Sequence, residues 1–272
     1  MKALFSAMLL LGSTLSATAQ TAAEPEFHMA CQDNSWGSNR ATKQYCETRD
    51  LTLNTAAGQA LTVEGGPNGG ITVHGWDGPN VRVRAKVQSW ATSEATAQAT
   101  VRRLVIGTTD NTLRATDPAN DHDWSVSYEI FVPRLTALVL NTVNGGISLD
   151  NVQADIRFQA VNGGVTLANL GGQVSGHTVN GGLTIDLTGR QWTGKGLDVQ
   201  TTNGGIHWKL PRDYSAQFFT STNIGSIHTD LPVTKTGLMH REVEASLGKG
   251  GAPVRAVTTN GGISVTQAQG RN

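Results

Sequence analysis

Charge is scarce in this chain. Asp, Glu, Lys and Arg make up 15% of its 272 residues, against roughly 25% in an ordinary soluble domain. The 21 basic residues balance the 21 acidic ones, so no basic stripe marks a general nucleic-acid binder. Cysteine is limited to Cys31 and Cys46. No apolar run reaches the ~20 residues that a membrane-spanning helix needs. The motifs of common chemistry are missing as well: there is no G-x-S-x-G, H-E-x-x-H, P-loop or Cys-x-x-Cys. The expectation is a non-enzyme without a cofactor, with no nucleic-acid partner and no membrane span in the mature chain.

Glycine, by contrast, is abundant, 32 of 272 residues where ~7% is usual. Low charge with high glycine could mean low complexity, but 38% of the chain is hydrophobic and rich in Val, Leu and Ile, so something is buried.

Met1 to Ala19 reads as a secretory leader: Lys2 supplies the positive end, Ala3 to Leu11 the apolar stretch, and Ala17-Thr18-Ala19 the cleavage site. Cleavage after Ala19 removes one Lys and no acid, leaving 20 − 21 = −1 on the mature chain. Cys31 lies too far behind the apolar stretch to be a lipidation site. The expected location is the periplasm or the cell surface. In such an oxidising compartment Cys31 and Cys46, 15 apart, favour a disulfide worth about 3 kcal/mol by loop closure; two free thiols or half a metal site are the alternatives. Its expected role is to tie down the polar stretch Gln32 to Gln44.

One signature dominates the rest. Asn-Gly-Gly followed by an aliphatic residue begins at Asn68, Asn144, Asn162, Asn180, Asn203 and Asn260, with a degenerate copy at Asn223. The central spacings are 18, 18, 23 and 20, and a period near 20 residues points to a solenoid. Asn-Gly suggests a turn with φ > 0, and the second Gly suggests close backbone approach. Alternating strands follow, such as Ile147-Ser148-Leu149-Asp150, with aliphatics inward and polar residues outward. Such strands, with no crossover helices, can stack coil upon coil about 4.8 Å apart. The expected fold is all-β, a single-stranded β-helix or solenoid with a right-handed coil. An antiparallel β-sandwich is the alternative, because Asn-Gly is also a hairpin signal.

Before residue 140 the chain is less regular. Val81 to Val87 alternates cleanly, and Ser125 to Pro133 alternates again. Ser93 is placed to cap one short helix over Glu94 to Leu104. The expected organisation is a leader (1–19), a disulfide segment (20–49), a solenoid (50–266) and a tail (267–272).

The runs Tyr128-Glu129-Ile130-Phe131-Val132-Pro133, Leu140 to Ile147, and Asn68 to Gly78 with Val81-Arg82-Val83 resemble a bacterial adhesin-like family of unknown function. The resemblance covers roughly residues 50 to 266. It implies a β-helix-like envelope domain and no activity, cofactor or catalytic residue. The 37-residue gap from Asn223 to Asn260, holding Lys235 to Gly251, departs from the repeat.

Several constellations invite a chemical reading. His207 and His228 fall at equivalent outward positions and read as two surface histidines in a ladder of Ser and Thr; in adjacent coils a weak metal pair or a pH-sensitive patch is the alternative. Asp150, Asp186 and Asp230 share an outward register, with Lys209 between the last two, which reads as a salt-bridge ladder rather than a sugar-cleaving carboxylate pair. Asp117 to Asp123 gathers oxygens but lacks calcium-loop spacing, so it reads as a polar turn. The motif Asn side chains are expected to bond one another as an amide ladder. Trp192, in the lengthened coil Thr188 to Gly196, is a candidate ligand contact, while Trp76, Trp90, Trp124 and Trp208 are expected to pack. The expected function is a non-catalytic envelope module that binds an envelope protein, a glycan or a surface. A self-associating scaffold and a divergent carbohydrate-active β-helix are the alternatives.

Overall fold

A computed structural model describes residues 23–31, 42–53, 58–119, 122–233 and 236–268. The expected leader, most of the polar stretch between the cysteines, residues 54–57, Asn120, Asp121, Thr234, Lys235 and the last four residues lie outside the described residues.

The chain opens with β1 (Lys43–Leu53), which crosses the boundary expected at residue 50. A first coil follows, β2 (Leu61–Glu64) and β3 (Ile71–Trp76), and then β4 (Val81–Ala91), helix α1 (Glu94–Arg103) and β5 (Val105–Thr109). The next coil is β6 (Thr112–Thr116) with β7 (Trp124–Pro133). Four regular coils come next: β8 (Leu138–Thr142) with β9 (Ile147–Asp150), β10 (Ile156–Ala160) with β11 (Val165–Ala168), β12 (Gln173–Asn180) with β13 (Leu183–Asp186), and β14 (Gly196–Asn203) with β15 (Ile206–Pro211). The chain ends with β16 (Ala216–Ile224) and β17 (Ile227–Thr229), then β18 (Glu242–Leu247), then β19 (Pro253–Asn260) and β20 (Ile263–Ala268).

Each coil gives one strand to each of two ten-stranded sheets. Sheet 1 runs β1-β4-β7-β3-β9-β11-β13-β15-β20-β17, and sheet 2 runs β18-β16-β19-β14-β12-β10-β8-β2-β6-β5. Pairing is parallel and in register through the middle, as in Val165 beside Leu183 and Ile147. Among the described residues, antiparallel strand pairs occur only toward the ends, at β1–β4, β4–β7, β5–β6 and β16–β18. A meandering sandwich would be antiparallel throughout, so the solenoid expectation holds and the sandwich alternative does not.

Period-two alternation fills the space between the sheets. Ile71, Ile147, Val165, Leu183, Ile206 and Ile263 form one inward column, and Leu138, Ile156, Val174, Leu197 and Val254 form a facing one. Size is balanced along the columns: the Phe158 ring lies where a Cβ on neighbouring Gly176 would come within 2.5 Å of it.

The Asn-Gly-Gly corner works differently from the expectation. None of its glycines has a positive φ. A Cβ on the first Gly would instead meet backbone of the neighbouring coil: 2.0 Å from Gly145 O at Gly163, and 2.0 Å from Gly163 O at Gly181. The second Gly is looser, with 3.6 Å from Gly164 to Gly182 O. Glycine is required at the corner for coil-to-coil contact rather than for turn conformation. Positive φ appears at the opposite corner, in Asn151 (60°) and Asn169 (48°), and asparagine tolerates it there.

Both ends of the stack depart from chain order. At the start, coil β6–β7 packs outside β2–β3, and the chain then returns to place β8–β9 on the other side. At the finish, β16–β17 leaves one position vacant, β18 turns back along β16, and β19–β20 fills the position. The irregular stretch after Asn223 is this excursion. Helix α1 packs against β1 and β4 with Ala97 and Val101 buried, covering the open end of the core. Its Ser93 cap accepts from Thr96 N as expected, and Arg49 of β1 donates to Val101 O and Leu104 O, a cation at the negative end of the helix.

Candidate functional site

The corners hold two ladders. Along the outer edge, Asn144 donates to Asn68, Asn162 to Asn144, Asn180 to Asn162, Asn203 to Asn180, and Asn260 to Asn203, at 2.8–3.1 Å. The expected amide ladder is therefore present, with one correction: Ile224, not Asn223, stands beside Asn260 and ends it. Inside the corner runs a second ladder that period-two reading did not disclose. Thr142, Thr178, Thr201, Thr222 and Thr258 are buried, and each donates its hydroxyl to the carbonyl of a corner glycine in a neighbouring coil, at 2.6–2.8 Å. Threonine two residues before Asn144, Asn180, Asn203 and Asn260 was the available signal, and a buried hydroxyl has to find a partner.

The outer face of sheet 1 is largely paired with itself. At its first strands the segment 23–31 lies across it. Glu129, 3% exposed, accepts from His28 N at 3.0 Å and Met29 N at 2.6 Å. Phe27 meets Phe131 edge-on at 5.3 Å, under the guanidinium of Arg84. Cys31 and Cys46 form a disulfide joining this segment to β1. His74 stacks on Phe131, with Nδ1 at 2.5 Å from Asp150 and Nε2 at 3.7 Å from Glu129. The Asp150 hydrogen bond pushes the His74 pKa up from 6.5 against partial burial. Further along, Lys209 pairs with Asp186 at 3.3 Å.

Strand β20 breaks two expected juxtapositions on this face. His207 and His228 both register on Ser264, which stands between them, so they sit two strand spacings apart, about 9.6 Å. His207 Nδ1 lies 2.8 Å from Ser264 Oγ, and His228 Nε2 lies 3.3 Å from Ser226 Oγ. The metal pair is not assembled. Thr266 of β20 likewise separates Lys209 from the Asp230 position. Among the described residues, no group of three or more His, Cys, Asp and Glu is arranged to hold a metal ion.

Trp192 is corrected too. It is 5% exposed, sits in the core, and donates its Nε1 to Gly172 O at 3.0 Å, so it has no face for a ligand. Trp208 packs as expected, against Phe218 and Thr220, whereas Trp90 is 37% exposed. Asp117 holds Arg103 at 2.8 Å and accepts from Ala119 N, as a structural turn does.

The outer face of sheet 2 is open. A groove of about 340 Å³ crosses β8, β10, β12 and β14, lined by Asn141, Arg157, Gln159, Ser175, His177 and Gln200. Two rows run across the strands in register: Asn141–Gln159–His177–Gln200, and Val139–Arg157–Ser175–Asp198. Ser175, the smallest of these side chains, forms a dip between Arg157 and Asp198. Asp198 is held by Arg255 at 2.6 Å. Beyond Ser175 a second hollow of about 260 Å³ includes Lys195 and Arg255. Among the described residues nothing covers the groove-lining amides, the imidazole or Arg157, in contrast to the paired groups of sheet 1.

Two parallel sheets joined by a glycine corner, with an asparagine ladder along that corner, define a two-sheet β-solenoid. Residues 46–266 match the family described as Toastrack DUF4097, and the chain belongs to that family. No curated protein matches the sequence. Among solved structures, the chain is similar to a "putative cell adhesion protein" from Clostridium sporogenes, with 10% identity, TM-score 0.40, and coverage of 82% of this chain and 100% of the other. It is also similar to a "putative adhesin" from Bacteroides fragilis, with 10% identity, TM-score 0.41, and coverage of 82% and 97%. A "putative lipid binding protein" from Parabacteroides distasonis aligns at 9% identity, TM-score 0.36, and coverage of 81% and 97%.

Proposed function

We propose that this chain is an exported, non-catalytic envelope protein that binds an extended partner on the outer face of sheet 2. The observation that carries the reading is the uncovered polar groove through Arg157, Ser175 and His177, on a scaffold whose other polar rows are largely paired internally. Export is supported by the leader at Met1–Ala19 and by a disulfide of the kind that persists in oxidising compartments. Among the described residues no helix is long and apolar enough to cross a membrane. A non-catalytic role is supported by the engagement of two outward carboxylates: Asp150 is tied to His74 and Asp186 to Lys209.

The test is co-sedimentation of the mature chain with the envelope fraction of its own cells. Ser175→Trp, which fills the dip, is expected to abolish binding, while Thr166→Ala and Thr184→Ala on sheet 1 leave it intact. Binding that survives Ser175→Trp contradicts the reading.

A second reading, self-association into a scaffold, is favoured by one observation: β5 is an unpaired sheet edge with Val105 55% exposed. Light scattering across a concentration series tests it, with Ile106→Pro expected to block growth if β5 pairs with another copy.

A further inference from the structure

The rows of sheet 2 carry more than an open surface. Successive strands place Asn141, Gln159, His177 and Gln200 side by side, one hydrogen-bonding group per strand spacing of about 4.8 Å. An extended β-linked sugar chain advances by close to that distance per residue, so each sugar laid along the row meets one amide or imidazole. A peptide strand would instead seek a sheet edge, where its backbone finds partners. A nucleic acid needs many cations to replace its counterions, and this face offers Arg114, Arg157, Lys195 and Arg255 against Glu64, Asp155, Asp198, Glu242 and Glu244.

The charge on the groove is specific. Arg255 is held by Asp198, whereas Arg157 stands at the dip with its guanidinium open to the groove. A guanidinium fork matches a carboxylate in two-point contact, which a neutral hydroxyl cannot reproduce. We propose that the groove takes an extended β-linked glycan bearing carboxylates, a polyuronate, with Arg157 on a carboxylate and the Asn141–Gln159–His177–Gln200 row on successive hydroxyls. The proposal rests on sheet 2 being the binding face and names its ligand class.

The experiment is calorimetric titration of the mature protein with a hexamer of β-1,4-linked mannuronate, and separately with the neutral hexamer of β-1,4-linked mannose. The acidic hexamer is expected to bind and the neutral one to bind at least about tenfold more weakly, because a charged hydrogen bond is lost. Arg157→Gln is expected to remove most of that preference, and Gln159→Ala and Gln200→Ala each to weaken binding of both hexamers a few-fold. Thermal unfolding at the parent temperature checks that each variant is folded. No binding of the acidic hexamer, equal binding of both, or indifference to Arg157→Gln overturns the proposal. If the acidic hexamer fails while Ser175→Trp still abolishes envelope binding, the ligand class is wrong and the binding face stands. If Ser175→Trp changes neither, the face itself is wrong.

Discussion

The two outer faces of this solenoid are built from the same coils, the same corner and the same period-two alternation, yet they end in different states. On sheet 1 the outward groups find partners within the chain: Glu129 under the segment 23–31, His74 on Asp150, Lys209 on Asp186, His207 on Ser264. On sheet 2 the row from Asn141 to Gln200 lies open above the groove, and Arg157 faces it. Since the coils are common to both, the difference resides in the outward side chains and in the segment 23–31, which lies on sheet 1 only among the described residues. A repeat fold can therefore close one surface and leave the other open without altering its core.

The largest effect is expected where the two faces share a cause. Gly163→Ala would put a Cβ 2.0 Å from Gly145 O, backbone that cannot yield, and is expected to cost about 4 kcal/mol or more and weaken both faces together. Gly164→Ala, one residue on and 3.6 Å from its neighbour, is expected to change stability by less than about 1 kcal/mol. Urea unfolding of the pair checks this, and equal losses would show that the corner does not rest on close approach.

Next in size, Glu129→Ala removes the acceptor for His28 N and Met29 N and is expected to cost about 1–3 kcal/mol. Amide exchange should rise over residues 27–31 while binding on sheet 2 is unchanged. Unaltered exchange in that segment would mean that the disulfide alone holds it.

A smaller effect depends on pH. His74 has a raised pKa in the folded chain, chiefly through its bond to Asp150. Its contribution is therefore full below the ordinary value of 6.5 and is lost as pH rises through the higher folded value. Thermal stability of the parent is expected to fall modestly relative to His74→Gln as pH rises above 6.5, and the pH-dependent part of the difference levels off once His74 has lost its proton. A difference that grows with pH would reverse the assignment.

Smallest of all, Tyr128 is fully buried and its hydroxyl has no hydrogen-bond partner among the described residues. Tyr128→Phe is expected to be neutral or to stabilise by about 1 kcal/mol in thermal unfolding.

Much of the fold was legible because it is local and periodic. The alternation after each Asn-Gly-Gly, the Ser93 cap and the asparagine ladder all follow from residues a few positions apart or one period apart. The misplaced features share a different character. His207 beside His228, and Lys209 beside Asp230, assume that neighbours in sequence are neighbours in the stack, and the insertion of β20 breaks that rule. Ile224 in place of an asparagine marked the spot, since a ladder ends where its amide is missing. Trp192 looked exposed because its flanks are polar, but the coil turns its ring into the core. Glu129 was not legible as a clamp, because its partners are backbone amides 100 and 101 residues away. The sheet 2 groove was missed because Arg157, Gln159, Ser175, His177 and Gln200 occupy ordinary outward positions, and only registering four strands side by side assembles them.

The central claim is that sheet 2, and not sheet 1, meets the partner. It is tested most directly by comparing maleimide labelling of Gln159→Cys and Thr166→Cys in the mature protein, free and bound to its envelope fraction. The account predicts that the probe at position 159 is protected on binding while the probe at 166 labels at its free rate. Protection at 166 with none at 159 would contradict it.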